Sequence, residues 1–284
     1  MRINLPDTNV AIKRSQDISV DSLFGYTAND IENISEIEVI DDGDVSAAIG
    51  DYRIFLEKEI RFDRVKGECD TKIVLSPSQI EMFLQKTSKF HQHKNYSKHT
   101  GSFLSSLIQN SYNEGHNDFY FNLHNQPLIS RLGRNICARD NNPLNLYVDG
   151  NLGNSVMTDS KYIDVVIKGN VGEFFSSSSE NNNVWIKGNV ENDFMIYSFN
   201  SKAIIKGDVG SLFGWCSTDM IAAIDGDGSD SFAHGSSTMN AYVSGKIEQI
   251  SSMKYDLSLK CGQDAQTNQT YISMMQDFER RMKR

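Results

Sequence analysis

The sequence predicts a mainly β protein: a single-stranded, right-handed parallel β-helix with 19-residue coils, preceded by an α+β domain and followed by a C-terminal helix. Three observations predict this fold. Glycines recur every 19 residues, apolar residues alternate before each glycine, and fixed columns of Phe and Ser follow it. Two-helix repeats need longer periods, and a Val/Ile-Gly-Asn pattern breaks helices. We therefore divide the chain into residues 1–126, 127–264 and 265–284.

Residues 1–126 carry signals for both strands and helices, which predicts an α+β domain. Apolar residues alternate in four predicted strands, residues 36–40, 52–62, 71–75 and 118–124. Ser76, Pro77 and Gln79 predict a helix start, because Ser is a good N-cap, Pro fits the first turn and Gln completes a capping box. A second helix is expected after Thr100, where apolar residues recur at helical spacing.

The glycine repeat defines the predicted coils. Its members are Gly150, Gly169, Gly188, Gly207, Gly226 and Gly245. Val or Ile stands two residues before each glycine, as in a strand with one buried face. Asn or Asp follows five of the six, which is a turn pair that tolerates a positive φ. Residues 127–145 are expected to form a degenerate first coil in which Arg131 stands at the glycine position.

Two further columns describe the turns and the interior of the β-helix. Six residues after the glycines stand Val156, Phe175, Phe194, Phe213 and Phe232, and ten residues after them stand Ser160, Ser179, Ser198, Ser217 and Ser236. Like side chains one coil apart are expected to stack, because each coil buries the apolar side of the next. We interpret the serines as a hydroxyl ladder between coils. Exposed, the same ladder would bind a peptide or a glycan weakly.

The coil sequences IKGNVGEFF (residues 167–175) and IKGDVGSLFG (residues 205–214) resemble a known type of repeat. They are similar to the GxGxG β-helix repeats found in the C-terminal domain of the glutamate synthase large subunit and in a subunit of formylmethanofuran dehydrogenase. The resemblance covers about residues 146–264. It implies a right-handed β-helix that acts as a non-catalytic support for neighbouring domains. Bactofilin-like polymers are a second β-helix family that the repeat resembles.

Residues 265–284 form a separate signal, an amphipathic helix with a basic last turn. Its apolar residues at helical spacing are Tyr271, Met274, Met275, Phe278 and Met282. One interpretation is a helix that folds back to cap the open end of the β-helix, since the final coil of a solenoid exposes unpaired strand edges. The other is a Met-rich helix that binds a protein partner.

Three groups of residues are candidates for chemical sites. His91, His93 and His99 have the residue type of a metal site, but lysines between them would repel a cation. Cys69 has no sequence around it that is typical of an activated nucleophile. Residues 225–230 place Asp at alternate positions, as Ca²⁺ ligands require, but they coincide with a repeat turn and lack the following Glu. We therefore expect no metal and no cofactor, and the catalytic residues, if any, stay unknown.

Composition excludes some classes of function. The net charge of −9 argues against a nucleic-acid-binding protein, since phosphate binding needs a basic surface. No apolar run is long enough to span a membrane, and the first residues have no apolar core of a secretory signal. The four Cys are far apart in sequence and are expected to be reduced thiols, which favours the cytoplasm. A secreted effector or a virion protein without a classical signal would have the same features.

Three functional hypotheses follow from the sequence. The first is a non-catalytic scaffold that binds a protein partner, which the resemblance and the absence of a catalytic motif favour. The second is an enzyme whose active site lies in the N-terminal domain and includes several of His91, His93, His99 and His116. The third is a self-assembling, bactofilin-like structural protein. The sequence leaves the oligomeric state open.

Overall fold

In its described residues the protein is a parallel β-solenoid with helices before and after it in sequence. The computed structural model describes residues 42–58, 69, 71–249 and 257–283. Within these ranges, no helix combines the length and the apolar character that crossing a membrane requires. The fold class predicted from the 19-residue repeat is confirmed.

One parallel sheet of eight strands runs along the solenoid, and each coil contributes one strand in sequence order. The strands are β1 (Asp118–Asn122), β2 (Leu144–Asp149), β3 (Ile163–Ile167), β4 (Asn183–Ile186), β5 (Lys202–Ile205), β6 (Ile221–Ile224), β7 (Asn240–Val243) and β8 (Ser258–Cys261). From β2 to β7 the register keeps the repeat, so that Val165 lies opposite Val184 and Ile167 opposite Ile186. The strands are short because the chain must turn twice more within each coil.

Successive coils also pair along two further columns of single backbone bridges. One column contains Leu152, Val171, Val190, Val209, Gly228 and Ile247, and the other contains Lys161, Glu180, Phe199, Thr218 and Ser237. Three lines of pairing hold each coil in register with the next. The solenoid wall is therefore a rigid surface on which residues 19 apart in sequence are neighbours.

The first coil differs from the prediction. Ile129 pairs with Leu152, which lies two residues after Gly150, so the expected register with Arg131 at the glycine position is wrong. The reason is that this coil is longer than the others: Asp118 lies opposite Asn145, an offset of 27 residues. Strand β1 belongs to the solenoid sheet, which therefore begins before residue 127.

The phenylalanine column is confirmed as the centre of the interior. The rings of Phe175, Phe194, Phe213 and Phe232 stack with centroids 5.0–5.4 Å apart and planes within 8° of parallel. Val156 continues the column without a ring and is also fully buried. Because the spacing between coils matches a favourable distance between stacked rings, one Phe per coil fills this part of the core without gaps.

The glycine column has a different physical cause from the expected one. Of the six repeat glycines only Gly150 has a positive φ. The others are required because the coils approach closely. A Cβ on Gly188 would lie 2.2 Å from Oδ1 of Asn170 and 2.6 Å from the carbonyl oxygen of Gly169.

The residue after each glycine explains this close approach. Oδ1 of Asn151 accepts a hydrogen bond from the backbone N–H of Asn170, and Oδ1 of Asn170 accepts one from Asn189, both at 2.8 Å. Asp208 and Asp227 continue the ladder towards the last coil. Each carboxamide or carboxylate thus satisfies a backbone donor of the next coil, and only a glycine beside it leaves room for the side chain.

In the described part of the N-terminal region, three helices precede the solenoid: α1 (Gly43–Leu56), α2 (Pro77–Thr87) and α3 (Tyr96–Asn113), with a 3₁₀ turn, Ser88–Phe90, after α2. The predicted start of α2 is confirmed, because Ser76 and Gln79 form both bonds of a capping box. The second predicted helix is confirmed as α3, which begins four residues before Thr100. Of the predicted strands that fall on residues described by the structure, residues 118–124 contain a strand, β1.

The strand predicted over residues 52–62 is wrong for residues 52–56, which end α1. Asp42 caps this helix by accepting from the N–H groups of Asp44 and Val45. The prediction was wrong because the apolar residues that suggested a strand also fit the spacing of a helix. The ring of Tyr52 packs edge-on against that of Phe83, with centroids 5.5 Å apart. Residues 71–75 form no regular strand, and residues 36–40 lie outside the described residues.

Helix α3 covers the first coil of the solenoid. A Cβ on Gly101 would lie 1.8 Å from the carbonyl oxygen of Ser130, so the helix and the coil are in direct backbone contact. Ser105 Oγ accepts from the N–H of Gly133 at 2.8 Å. The apolar residues of α1–α3 and of the coils form one continuous core. The helices therefore close this end of the solenoid.

Two helices follow β8: the short α4 (Gln263–Gln266) and α5 (Gln269–Met282). Helix α5 lies along the solenoid, across the outward face of the sheet. It packs on a stripe of side chains one coil apart, Tyr147, Val166, Trp185, Ile204 and Ala223. The sheet is therefore buried on both faces where α5 covers it, which explains the near-continuous apolar runs of its strands.

Candidate binding surfaces of the solenoid

The five apolar residues predicted as a binding face do lie together on α5. Tyr271, Met274 and Phe278 are buried, and Met275 and Met282 pack at the edges of the same cluster. The surface they contact is the protein's own sheet. The helix lies on the flank of the solenoid and not over its last coil, which differs from the predicted end cap.

Polar contacts fix the position of α5 on the sheet. Asp277 accepts a hydrogen bond from Nε1 of Trp185 at 3.1 Å and pairs with Nζ of Lys202 at 3.4 Å. The guanidinium of Arg281 stacks over the Trp185 ring at 4.3 Å. The hydroxyl of Tyr271 donates to Asp225 at 2.7 Å, and burial together with this carboxylate raises the pKa of Tyr271 to about 12. These bonds select one register among those that the apolar stripe would allow.

Removal of α5 is predicted to expose Trp185. The measurement uses a Trp215→Phe background, so that Trp185 is the only fluorescent Trp. In a chain that ends after Thr267, the Trp185 fluorescence should shift to longer wavelength. The free energy of unfolding should fall by roughly 2–4 kcal/mol, since the burial of three large side chains is lost. Asp277→Ala should produce a smaller shift in the same direction, and Gln276→Ala, which alters an exposed position on α5, should produce none. Unchanged Trp185 emission in the shortened chain would contradict this position of the helix.

The serine column is a structural ladder inside the wall. All five serines are buried. Ser160, Ser179 and Ser236 each donate to the carbonyl oxygen three residues earlier, and Ser198 donates to the carbonyl oxygen of Ser176 in the preceding coil. These hydroxyls satisfy backbone acceptors at the turns and do not present a surface to a peptide or a glycan.

The histidines of the N-terminal region do not converge. His99 is buried, its Nε2 lies 2.9 Å from the carbonyl oxygen of Lys58, and burial lowers its pKa. His93 lies 3.6 Å from Glu57, while His91 and His116 are exposed. Cys69 is half-buried against the helical core. Among the described residues there is no group of His, Cys, Asp and Glu that could hold a metal ion.

A groove with a volume of about 430 Å³ runs where the coils enter the sheet, on one side of α5. We call it the polar groove; its lining includes Tyr162, Asn181, Asn183, Asn200, Lys202 and Asp219. The side chains bond along the stacking direction: Asn200 donates to Asn181 at 2.5 Å, and Asn183 donates to Asp164 at 2.8 Å. The groove therefore presents an ordered row of amides and carboxylates.

Exposed aromatic residues lie beside this groove, on the middle coils. Tyr197 is 52% exposed and Phe199 46%. The ring of Trp215, on the next coil, contacts that of Tyr197 edge-on with centroids 5.0 Å apart. We call Tyr197, Phe199 and Trp215 the aromatic wall. Phe199 directly precedes Asn200, so the aromatic wall adjoins the polar groove.

No family model, curated protein or solved structure matches the chain. The repeat itself supplies the comparison. At the position of Tyr197 the preceding coil has Ser178, and at the position of Phe199 the following coil has Thr218.

The aromatic wall is thus a departure from the repeat. The sequence analysis missed it because the prediction rested on columns in which every coil has the same type of residue. A surface with a function of its own lies in columns where one coil differs from its neighbours. The alignment of the coils contains this signal.

Proposed function

We propose that the protein is a non-catalytic scaffold that binds a folded protein partner through the aromatic wall. The observation that carries the proposal is the group of aromatic side chains on a rigid wall, in which the exposed Tyr197 and Phe199 stand where an adjacent coil has Ser178 and Thr218. Trp and Tyr are the residue types that dominate the energy of protein–protein interfaces. An exposed apolar patch of this kind is typical of an interaction site.

The surroundings of the aromatic wall support the same function. Protein interfaces combine an apolar centre with a polar rim, and the polar groove supplies such a rim on one side. The solenoid backbone is held by three lines of pairing, so binding orders few residues and loses little conformational entropy. The resemblance to GxGxG β-helix support domains agrees with a scaffold.

Two structural features favour this proposal over the alternatives. Helices α1–α3 pack on the first coil, which disfavours the stacking of a second copy's last coil on that end. The candidate histidines lie apart, which favours binding over catalysis. We further propose a cytoplasmic location. Its support is that the described residues include all four cysteines and no disulfide joins them.

The test compares the capture of partners from the native host by the wild type and by two variants. Tyr197→Ser combined with Phe199→Thr introduces residues that neighbouring coils already hold at these positions, so the fold is expected to survive. The control is Ile54→Gln, which removes an apolar side chain that is 66% exposed on α1. We expect one stoichiometric partner, identified by mass spectrometry, to bind the wild type and the control.

The purified partner then gives the quantitative result. Removal of the Tyr197 and Phe199 rings should raise the partner's dissociation constant about 30-fold, which corresponds to about 2 kcal/mol of binding free energy. Equal binding by the double variant and the wild type, or a monomer without any stoichiometric partner, would overturn the proposal.

A further inference from the structure

Three lysines form a column on the outside of the solenoid. Lys168, Lys187 and Lys206 each directly precede the glycine-column residue of their coil. The N–H of Lys187 donates to Ile167 and that of Lys206 donates to Ile186, both at 2.9 Å, so the three backbones are stacked in register. Parallel strands lie about 4.8 Å apart, which sets the spacing of these residues along the column.

Three positive charges at this spacing repel one another, and they stand out in a chain of net charge −9. Near the last coils the repulsion is relieved internally. Nζ of Lys206 lies 3.2 Å from Asp225 and 3.6 Å from Glu279 of α5. The column thus already binds carboxylates at Lys206. Lys187 makes no ion pair with any residue that the structure describes.

The lysine column lies in a groove on the side of α5 opposite the polar groove. This lysine groove has a volume of about 620 Å³. Its lining also holds two carboxylates, both paired with Lys206, and consists of Lys168, Lys187, Lys206, Lys283, Asp225, Glu279, Phe278 and Met282. The volume lies in the range of sites for small organic ligands. One end of the lining is cationic, and the Phe278 and Met282 side chains form an apolar wall next to it.

We propose that the lysine groove binds a small organic phosphate. Its phosphate group lies against the ammonium groups of Lys168, Lys187 and Lys283, and its organic part packs on Met282 and Phe278. A phosphate offers several acceptor oxygens, which suits ammonium groups that approach it from the sheet and from the end of α5. The site is independent of the aromatic wall.

Phenyl phosphate and inorganic phosphate are the probes, and isothermal titration calorimetry of the full chain is the measurement. We expect phenyl phosphate to bind with a dissociation constant of about 1 mM or lower and inorganic phosphate about tenfold more weakly, because it lacks the apolar part. Lys187→Gln should weaken the binding of phenyl phosphate at least tenfold. Met282→Ala should reduce the difference between the two probes.

The matched control is Lys94→Gln, which removes an exposed lysine outside the groove and lowers the net charge equally. Its affinity for phenyl phosphate should equal that of the wild type. Equal weakening by Lys187→Gln and Lys94→Gln would show a general charge effect and overturn the proposal, as would the absence of binding. Binding restricted to vesicles that contain a phosphorylated lipid would overturn it in favour of a membrane surface.

Discussion

Replacing Gly188 with alanine is expected to destabilise the solenoid by about 3 kcal/mol or more. The new methyl group would meet Oδ1 of Asn170 and the backbone of Gly169, and neither can move without breaking the hydrogen bond that joins the two coils. Chemical denaturation monitored by circular dichroism measures the loss. Because each coil contacts only its neighbours, a defect in a central coil weakens two interfaces at once.

The control for this substitution is Gly50→Ala. Gly50 lies within α1, and a Cβ there meets nothing within 4 Å. Alanine is the better helix former, so this variant should be about 0.5–1 kcal/mol more stable than the wild type. If Gly188→Ala were as harmless as Gly50→Ala, the close approach of the coils at the glycine column would be contradicted.

Replacing Phe194 with alanine is expected to cost about 3–5 kcal/mol. Its side chain is 0% exposed, and its ring is stacked between those of Phe175 and Phe213. The substitution leaves a cavity that the three backbone columns prevent from collapsing. Phe194→Leu should cost much less, because it keeps most of the buried volume.

The paired control is Phe174→Ala, which removes the same side chain from the exposed side of the wall. Its stability should fall by only about 1 kcal/mol, because 40% of this side chain is already exposed. Comparable losses of stability in Phe174→Ala and Phe194→Ala would contradict the assignment of one ring to the surface and the other to the core.

Much of the solenoid could be predicted because a repeat is a strong constraint. Once coils of equal length stack, residues 19 apart must be neighbours, and the columns of Phe and Ser follow directly. The reason for the glycines could not be predicted in the same way. Both a positive φ and a close approach select glycine, and only the position of Asn170 beside Gly188 distinguishes them.

The candidate surfaces were less predictable than the fold. The apolar residues of α5 were identified correctly as a cluster, but the pattern of an amphipathic helix does not specify what it packs against. The histidines at residues 91–99 are close in sequence, yet helix α3 buries His99 and leaves His91 exposed. The aromatic wall combines residues of two coils, and no local motif marks it.

The sequence by itself determined the coil length, the register from β2 to β7 and the composition of the core, because each of these depends on which residues recur at one period. The tertiary structure decided where α5 lies and which departures from the repeat reach the surface. The outward face of the sheet offers an apolar stripe along most of its length. Bonds between residues distant in sequence, from Trp185 to Asp277 and from Asp225 to Tyr271, select one position on it.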